Sequence, residues 1–207
     1  MSRDHEVTGE GEGRCAAGSP RENPARIGAE VLFRDHALFV ATFLQRLGVR
    51  TEEIDDLVQE VFLVAHRKGG YDDTGPAQPR SWLGAIAVLL ARSHHRKLGR
   101  KRETLQDDAL LSATSPERTP HECLETKESL ARVQTALDQL DLEHRAAFVL
   151  YELEGVPCQA IAASFDVPVG TVYSRLHHAR RRFTEVYAAM ELDETQVGSP
   201  LSTVEGR

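Results

Sequence analysis

VPCQAIAASFDVPVGTVYSRLHHARRRF, residues Val156 to Phe183, divides at Phe165-Asp166-Val167 into two helical segments. Pro157 suits the first position of a helix, where its missing N–H would have no partner. Ile161, Ala162 and Phe165 give that segment an apolar face, and Pro168 restarts the chain after the turn. In the second segment Val172, Leu176, Ala179 and Phe183 recur at i, i+4, i+7 and i+11, one side of a helix. Thr171, Arg175, His178 and Arg182 share another side, with Ser174 at its edge. Cations hold phosphates, while Ser, Thr and Arg reach base edges in a major groove. An isolated basic helix would read as a solvated face, but the short helix and tight turn before it decide otherwise. The pattern predicts a helix-turn-helix.

Outward from that stretch, charge alternates along the chain. The net charge of −7 argues against a nucleic-acid partner, but its distribution argues for one. Arg80 to Arg102 holds Arg80, Arg92, Arg96, Lys97, Arg100, Lys101 and Arg102 with no acid, and Val167 to Thr184 holds four arginines with no acid. Thr51 to Asp73 and Glu103 to Glu128 each carry seven acids against two cations. Two basic islands between acidic stretches suit a protein that touches nucleic acid at two places and a basic or mixed surface elsewhere.

The periodicity predicts an all-α fold of two small helical domains joined by a flexible linker. Residues 1–27 read as a disordered tail rich in Gly, Ser, Arg and Glu. The first domain spans 28–102: a helix from Val31 to Gly48, a second from Thr51 to about Lys68 stopped by Gly69-Gly70, a loop from Tyr71 to Pro79, and a third helix from Arg80 to about Leu98. Residues 103–128 form an acidic linker. The second domain spans 129–190, with helices from Leu124 to Leu140 and Glu143 to Glu154 ahead of the helix-turn-helix. Residues 191–207 form a polar tail, and no strand pattern appears. No run approaches a membrane span, and the N-terminus lacks the apolar segment of a signal peptide, so a cytoplasmic protein is expected. Cys15, Cys123 and Cys158 are odd in number and widely spaced, against a disulfide framework or zinc ribbon.

The helix at Thr51 has a core arc of Ile54, Leu57, Val58, Val61 and Ala65. Its opposite face holds Asp56, Gln59, Glu60, Leu63 and Arg67, with Phe62 and His66 on the flank. A leucine among Asp, Gln and Glu is either a partner-binding face or a plain surface with one stray apolar group.

DDLVQEVFLVAH (Asp55–His66) with SWLGAIA (Ser81–Ala87) resembles region 2 of bacterial RNA polymerase sigma factors. ELEGVPCQAIAASFDVPVGTVYSRLHHAR (Glu152–Arg180) resembles their region 4, and the short spacer resembles the extracytoplasmic-function (ECF) group. The resemblance implies a transcription initiation subunit without catalysis or cofactor. It would dock on core RNA polymerase and recognise promoter −10 and −35 elements under an anti-sigma factor. Asp56, Gln59, Glu60, Phe62 and Leu63 would grip the β′ coiled coil, and the second domain would meet the β flap. Tyr71, Arg80, Ser81 and Trp82 would melt and read the −10 element, with Arg92, His95, Arg96 and Lys97 along the backbone. Trp82 can serve as a stacking platform or as a core anchor beside Leu83 and Ile86. Thr171, Ser174, Arg175, His178 and Arg182 would contact the −35 element.

Three departures from the family pattern stand out. VLLARSHH (Val88–His95) replaces a segment that commonly carries Asn and Asp, Tyr173 replaces the Lys of GTVKSR, and Gln159-Ala160 stands where a Glu is common. A DNA-binding regulator independent of polymerase would leave DDLVQEVF and SWLGAIA without a role. A metal enzyme would need more than the pairs His94-His95 and His177-His178, which point to different helix faces and have no ligand-spaced partner.

Overall fold

A computed structural model describes residues 26–104 and 122–197. Within them run α1 (Ala29–Arg46), α2 (Thr51–Arg67), α3 (Pro79–Thr104), α4 (Glu122–Asp138), α5 (Leu142–Phe148), α6 (Cys158–Phe165) and α7 (Val169–Val197). The two expected tails and the middle of the expected linker lie largely outside the described residues. The described parts of those segments are more regular than expected. α3 runs on to Thr104, α4 starts at Glu122, and α7 continues to Val197. Sequence reading ended these helices where the apolar pattern stopped, although polar residues such as Lys, Arg, Glu and Gln are themselves good helix formers.

The first domain is a three-helix bundle. Leu32, Phe39, Val40, Phe43 and Leu44 of α1 meet Ile54, Leu57, Val58, Val61 and Ala65 of α2, the arc expected for that helix. A short antiparallel ribbon, absent from the expectation, closes one end: β1 (Arg26–Ile27) pairs with β2 (Tyr71–Asp72). Two residues per strand are too few to show an alternating pattern. Gly70 makes the pairing possible, because a Cβ there would lie 2.3 Å from the Ile27 carbonyl oxygen, and its φ is +82°. Pro79 opens α3 at a position that needs no N–H. Ser81 accepts the Gln78 N–H at 3.0 Å and donates to the Gln78 carbonyl at 2.9 Å, a back-bond that fixes the first turn.

In the second domain Asp141 does not merely break the chain. Its carboxylate caps α5 by accepting the His144 N–H at 3.0 Å. α5 passes into a π-helical turn, Val149–Leu153. Pro157 stands just before the helix, as the N-cap of α6, and Asp166 takes a left-handed conformation (φ 51°) that ends it. Val172, Leu176 and Ala179 are buried as expected, and Phe183 stacks on Phe148 with ring centroids 4.8 Å apart.

The two domains share one apolar core, with α3 as the common wall. Ser81, Gly84, Ala85, Val88 and Arg92, at helical spacing along α3, face α5, α6 and the π-turn. No helix among the described residues is long and apolar enough to cross a membrane.

Candidate functional site

Three surfaces carry the residues singled out by sequence. On α2, Asp56, Gln59 and Glu60 are exposed, as is Leu63 at 52%. Phe62 does not join them. It is 6% exposed, its ring edge-on to Phe33 with centroids 5.0 Å apart. At about 100° per residue, Phe62 follows Val61 and lies four positions after Val58, which places it on the rim of the core arc rather than outside. Phe33 itself is 48% exposed and was missed. The available signal was its phase: it lies one residue past Leu32 and off the Leu32–Val40–Phe43 side of α1.

The second surface is α3 with the loop before it. Tyr71 and Ser81, expected at DNA, are both buried. The Tyr71 hydroxyl donates to the Ala77 carbonyl, and burial, followed by Asp73 and Asp72, pushes its pKa up. Ser81 is occupied by the helix start and by Ser164, whose hydroxyl donates to it at 2.7 Å. Both residues therefore shape the loop and helix instead of touching a ligand here. Trp82 is half-buried with its ring 5.8 Å from Tyr71, so the core-anchor role is the one realised in this structure. Arg80, Arg92, Arg96 and Lys97 are exposed and His95 is half-exposed. His94 binds Glu53 at 2.7 Å. Glu53 also receives Arg50, and the hydrogen bonds to Arg50 foremost and to His94 hold its carboxyl below the usual range against the opposing effect of burial.

The third surface is α7. Ser174, His178 and Arg182 are exposed, but Thr171 and Arg175 are half-buried. Arg175 reaches Glu143 at 3.1 Å and faces a cleft of about 420 Å³ between α3 and α6. The expected stripe Thr171–Arg175–His178–Arg182 lies about 90° around the helix from the buried side. The side directly opposite the core is Gly170, Ser174, His177 and Arg181, flanked by Tyr173 at 53% exposure. His177 and Arg181 lie outside the expected stripe, although the positions of Val172, Leu176, Ala179 and Phe183 point away from them. Behind this face Arg180 pairs with Glu152 and lies over the Tyr151 ring at 5.3 Å.

Buried Arg145 ties α4 to α5, donating to Asp138 at 2.9 Å and to the Leu140 carbonyl at 3.0 Å, and burial lowers its pKa. Among the described residues no group of three or more His, Cys, Asp or Glu side chains is placed to hold a metal.

Two family models match the two domains in order: sigma-70 region 2 over residues 32–101 and sigma-70 region 4 over residues 130–183. The chain is a sigma factor of the ECF group. It is 34% identical over 166 residues to the ECF RNA polymerase sigma factor SigE of Mycolicibacterium smegmatis, covering 79% of this chain and 63% of that protein. It is 32% identical over 164 residues to the RNA polymerase sigma factor HrpL of Pseudomonas syringae pv. syringae, covering 78% of this chain and 88% of that one. In fold it matches the sigma factor RpoE in complex with the anti-sigma factor NepR from Bartonella quintana. That match has a TM-score of 0.58 and 24% identity, over 74% of this chain and 92% of that one. Sigma factors are transcription initiation factors.

Proposed function

We propose that this sigma factor docks on core RNA polymerase through Asp56, Gln59, Glu60 and Leu63 of α2, with Phe33 at the edge of the contact. The observation that carries the reading is an exposed leucine beside Asp56, Gln59 and Glu60 on a helix whose opposite side is fully packed. An apolar group with acids on its N-terminal side fits a basic, partly apolar helical surface such as the β′ coiled coil. Arg80, Arg92, His95, Arg96 and Lys97 then follow the phosphates near the −10 element. Ser174, His177, His178, Arg181 and Arg182 read or hold the −35 element, with Tyr173 in place of the family lysine supplying an apolar edge for thymine methyl groups. The second domain also meets the β flap. The protein acts in the cytoplasm by binding alone, without catalysis or cofactor. An anti-sigma factor would restrain it, a reading supported by the RpoE–NepR complex that shares its fold.

The test is capture of the full chain on core RNA polymerase, wild type against a Gln59→Ala, Glu60→Ala, Leu63→Ala variant, with circular dichroism on both. Wild-type capture that is lost in the folded variant is the expected result. Equal capture of both overturns the docking face.

A further inference from the structure

Beside the recognition helix α7 stands an imidazole from another helix, His144 of α5. Its ring meets the His178 ring edge-on, with centroids 5.9 Å apart, and 30% of its side chain is exposed. Nδ1 of His144 lies 2.5 Å from one oxygen of the Asp141 carboxylate. The other Asp141 oxygen accepts the His144 backbone N–H at 3.0 Å, the cap that starts α5. One carboxylate thus holds the backbone and the ring of the same residue, and Nε2 is the polar atom of the ring left for another partner.

The carboxylate decides what Nε2 can do. Burial pushes the Asp141 carboxyl up, but the backbone and ring hydrogen bonds from His144 more than offset it, so it stays ionised below the usual range. An ionised carboxylate on Nδ1 keeps a proton there. Nε2 is then a bare acceptor in the neutral ring and an N–H donor in the charged one, so only the imidazolium can bind a phosphate oxygen. The other charges around the ring are Glu143 and Arg145 on α5, Arg175 on α7 and Arg92 on α3. Glu143 pairs with Arg92 and Arg175, and Arg145 pairs with Asp138, which leaves Asp141 as the counter-charge of His144.

α5 and α7 meet along one flank of the recognition helix, Glu143 against Arg175 and His144 against His178, and His178 is exposed there. A helix lying in a major groove about 12 Å wide has each groove wall about 6 Å to its side. A ring 5.9 Å beside His178 falls at that distance. We infer that His144, positioned by Asp141, contacts a backbone phosphate at the edge of the −35 groove, a contact made by the imidazolium and lost when the ring is neutral. The inference rests on the −35 reading of α7 given above. Promoter engagement then strengthens as the pH falls through the range in which imidazole takes up its proton.

The test uses the full chain loaded on core RNA polymerase, with a fluorescent duplex that this holoenzyme selects from a random-sequence pool as the probe. Anisotropy over a salt series gives affinity and salt slope at about pH 6 and about pH 8.5, and circular dichroism checks that each variant is folded. Comparing each variant with wild type cancels the titration of His95, His177 and His178. His144→Gln keeps a polar side chain that does not titrate. At the lower pH it should reduce the salt slope by about 0.9, so that its deficit shrinks about 3.5-fold between about 50 and 200 mM salt. At the higher pH it should match wild type. Asp141→Asn keeps an oxygen for the His144 N–H but turns an amide N–H toward Nδ1, which places the neutral ring's proton on Nε2. Its affinity should vary less with pH than that of wild type, and an equal variation overturns the positioning role of Asp141. Arg181→Gln reports on the −35 reading itself and should weaken binding at both pH values. Weakening by Arg181→Gln with a wild-type slope for His144→Gln at the lower pH overturns the His144 contact alone. A His144→Gln deficit that is the same at both pH values overturns it too. No effect of either variant, or no duplex selected, overturns the −35 reading and the contact with it.

Discussion

Adjacent residues Phe62 and Leu63 should fail in opposite ways when each is cut to alanine. Phe62 is 6% exposed and its ring meets Phe33 edge-on at 5.0 Å, so its removal leaves a cavity between α1 and α2. A buried Phe→Ala change costs about 3–5 kcal/mol. With a urea slope of about 2 kcal/mol per molar, the unfolding midpoint should fall by about 2 M. Leu63 is 52% exposed, and its truncation should move stability by no more than about 0.5 kcal/mol. Its effect belongs to binding: loss of an anchor at the centre of the α2 face should weaken capture by core polymerase by at least about 1 kcal/mol, a factor of about five. Urea titration followed by circular dichroism gives the first number, and titration against labelled core polymerase gives the second. A Phe62→Ala protein that unfolds within about 0.3 M urea of wild type and yet loses polymerase would refute the assignment of that ring to the core.

Three further outcomes are expected. Tyr71→Phe removes the hydroxyl that satisfies the Ala77 carbonyl, and it should cost about 1 kcal/mol in thermal unfolding while leaving duplex DNA affinity unchanged, since the ring is 2% exposed. Asp141→Ala removes the cap on the His144 N–H and should destabilise the second domain by about 0.5–2 kcal/mol, a loss that Asp141→Asn should largely avoid; chemical denaturation of the three proteins decides it. Glu53, whose pKa is depressed by Arg50 and His94, stabilises the fold only while ionised. Its contribution is fully present above the ordinary carboxylate range, about pH 4, and is lost as the pH falls through its lowered folded value. The stability gap between wild type and Glu53→Gln should therefore be constant near neutrality and close on acidification, and a gap that widened instead would reverse the sign of this argument.

Helix phase made most of the fold legible. The arcs Ile54–Ala65 and Val172–Phe183 needed only the 3.6-residue period, and Asp166 between two apolar segments was enough to place the turn. The sites were harder, because a side chain's duty depends on what lies across from it. Ser81 and Tyr71 sit beside a tryptophan and an arginine in a loop that looks made for DNA, yet a back-bond at Gln78 and a carbonyl at Ala77 claim them. His94 and His95 read alike until Glu53 takes one of them. The expected α7 stripe was chosen by chemistry, from where Thr and Arg cluster, and it lies about 90° from the buried side rather than directly opposite it. Nothing local reveals that the second domain seats itself on Gly84: its partner Leu150 is 66 positions away in sequence.

α3 is apolar on two sides and keeps only what remains, with its exposed arginines and Lys97, for water. In the intact chain the strip of α3 from Gly84 to Val88 lies under Leu150 and Phe165, out of solvent. Each half expressed alone would present that strip, or its complement, to water, and two such halves have more to gain by meeting each other than by remaining dissolved apart. Solubility in this protein is thus a property of the tether as much as of the two bundles it joins.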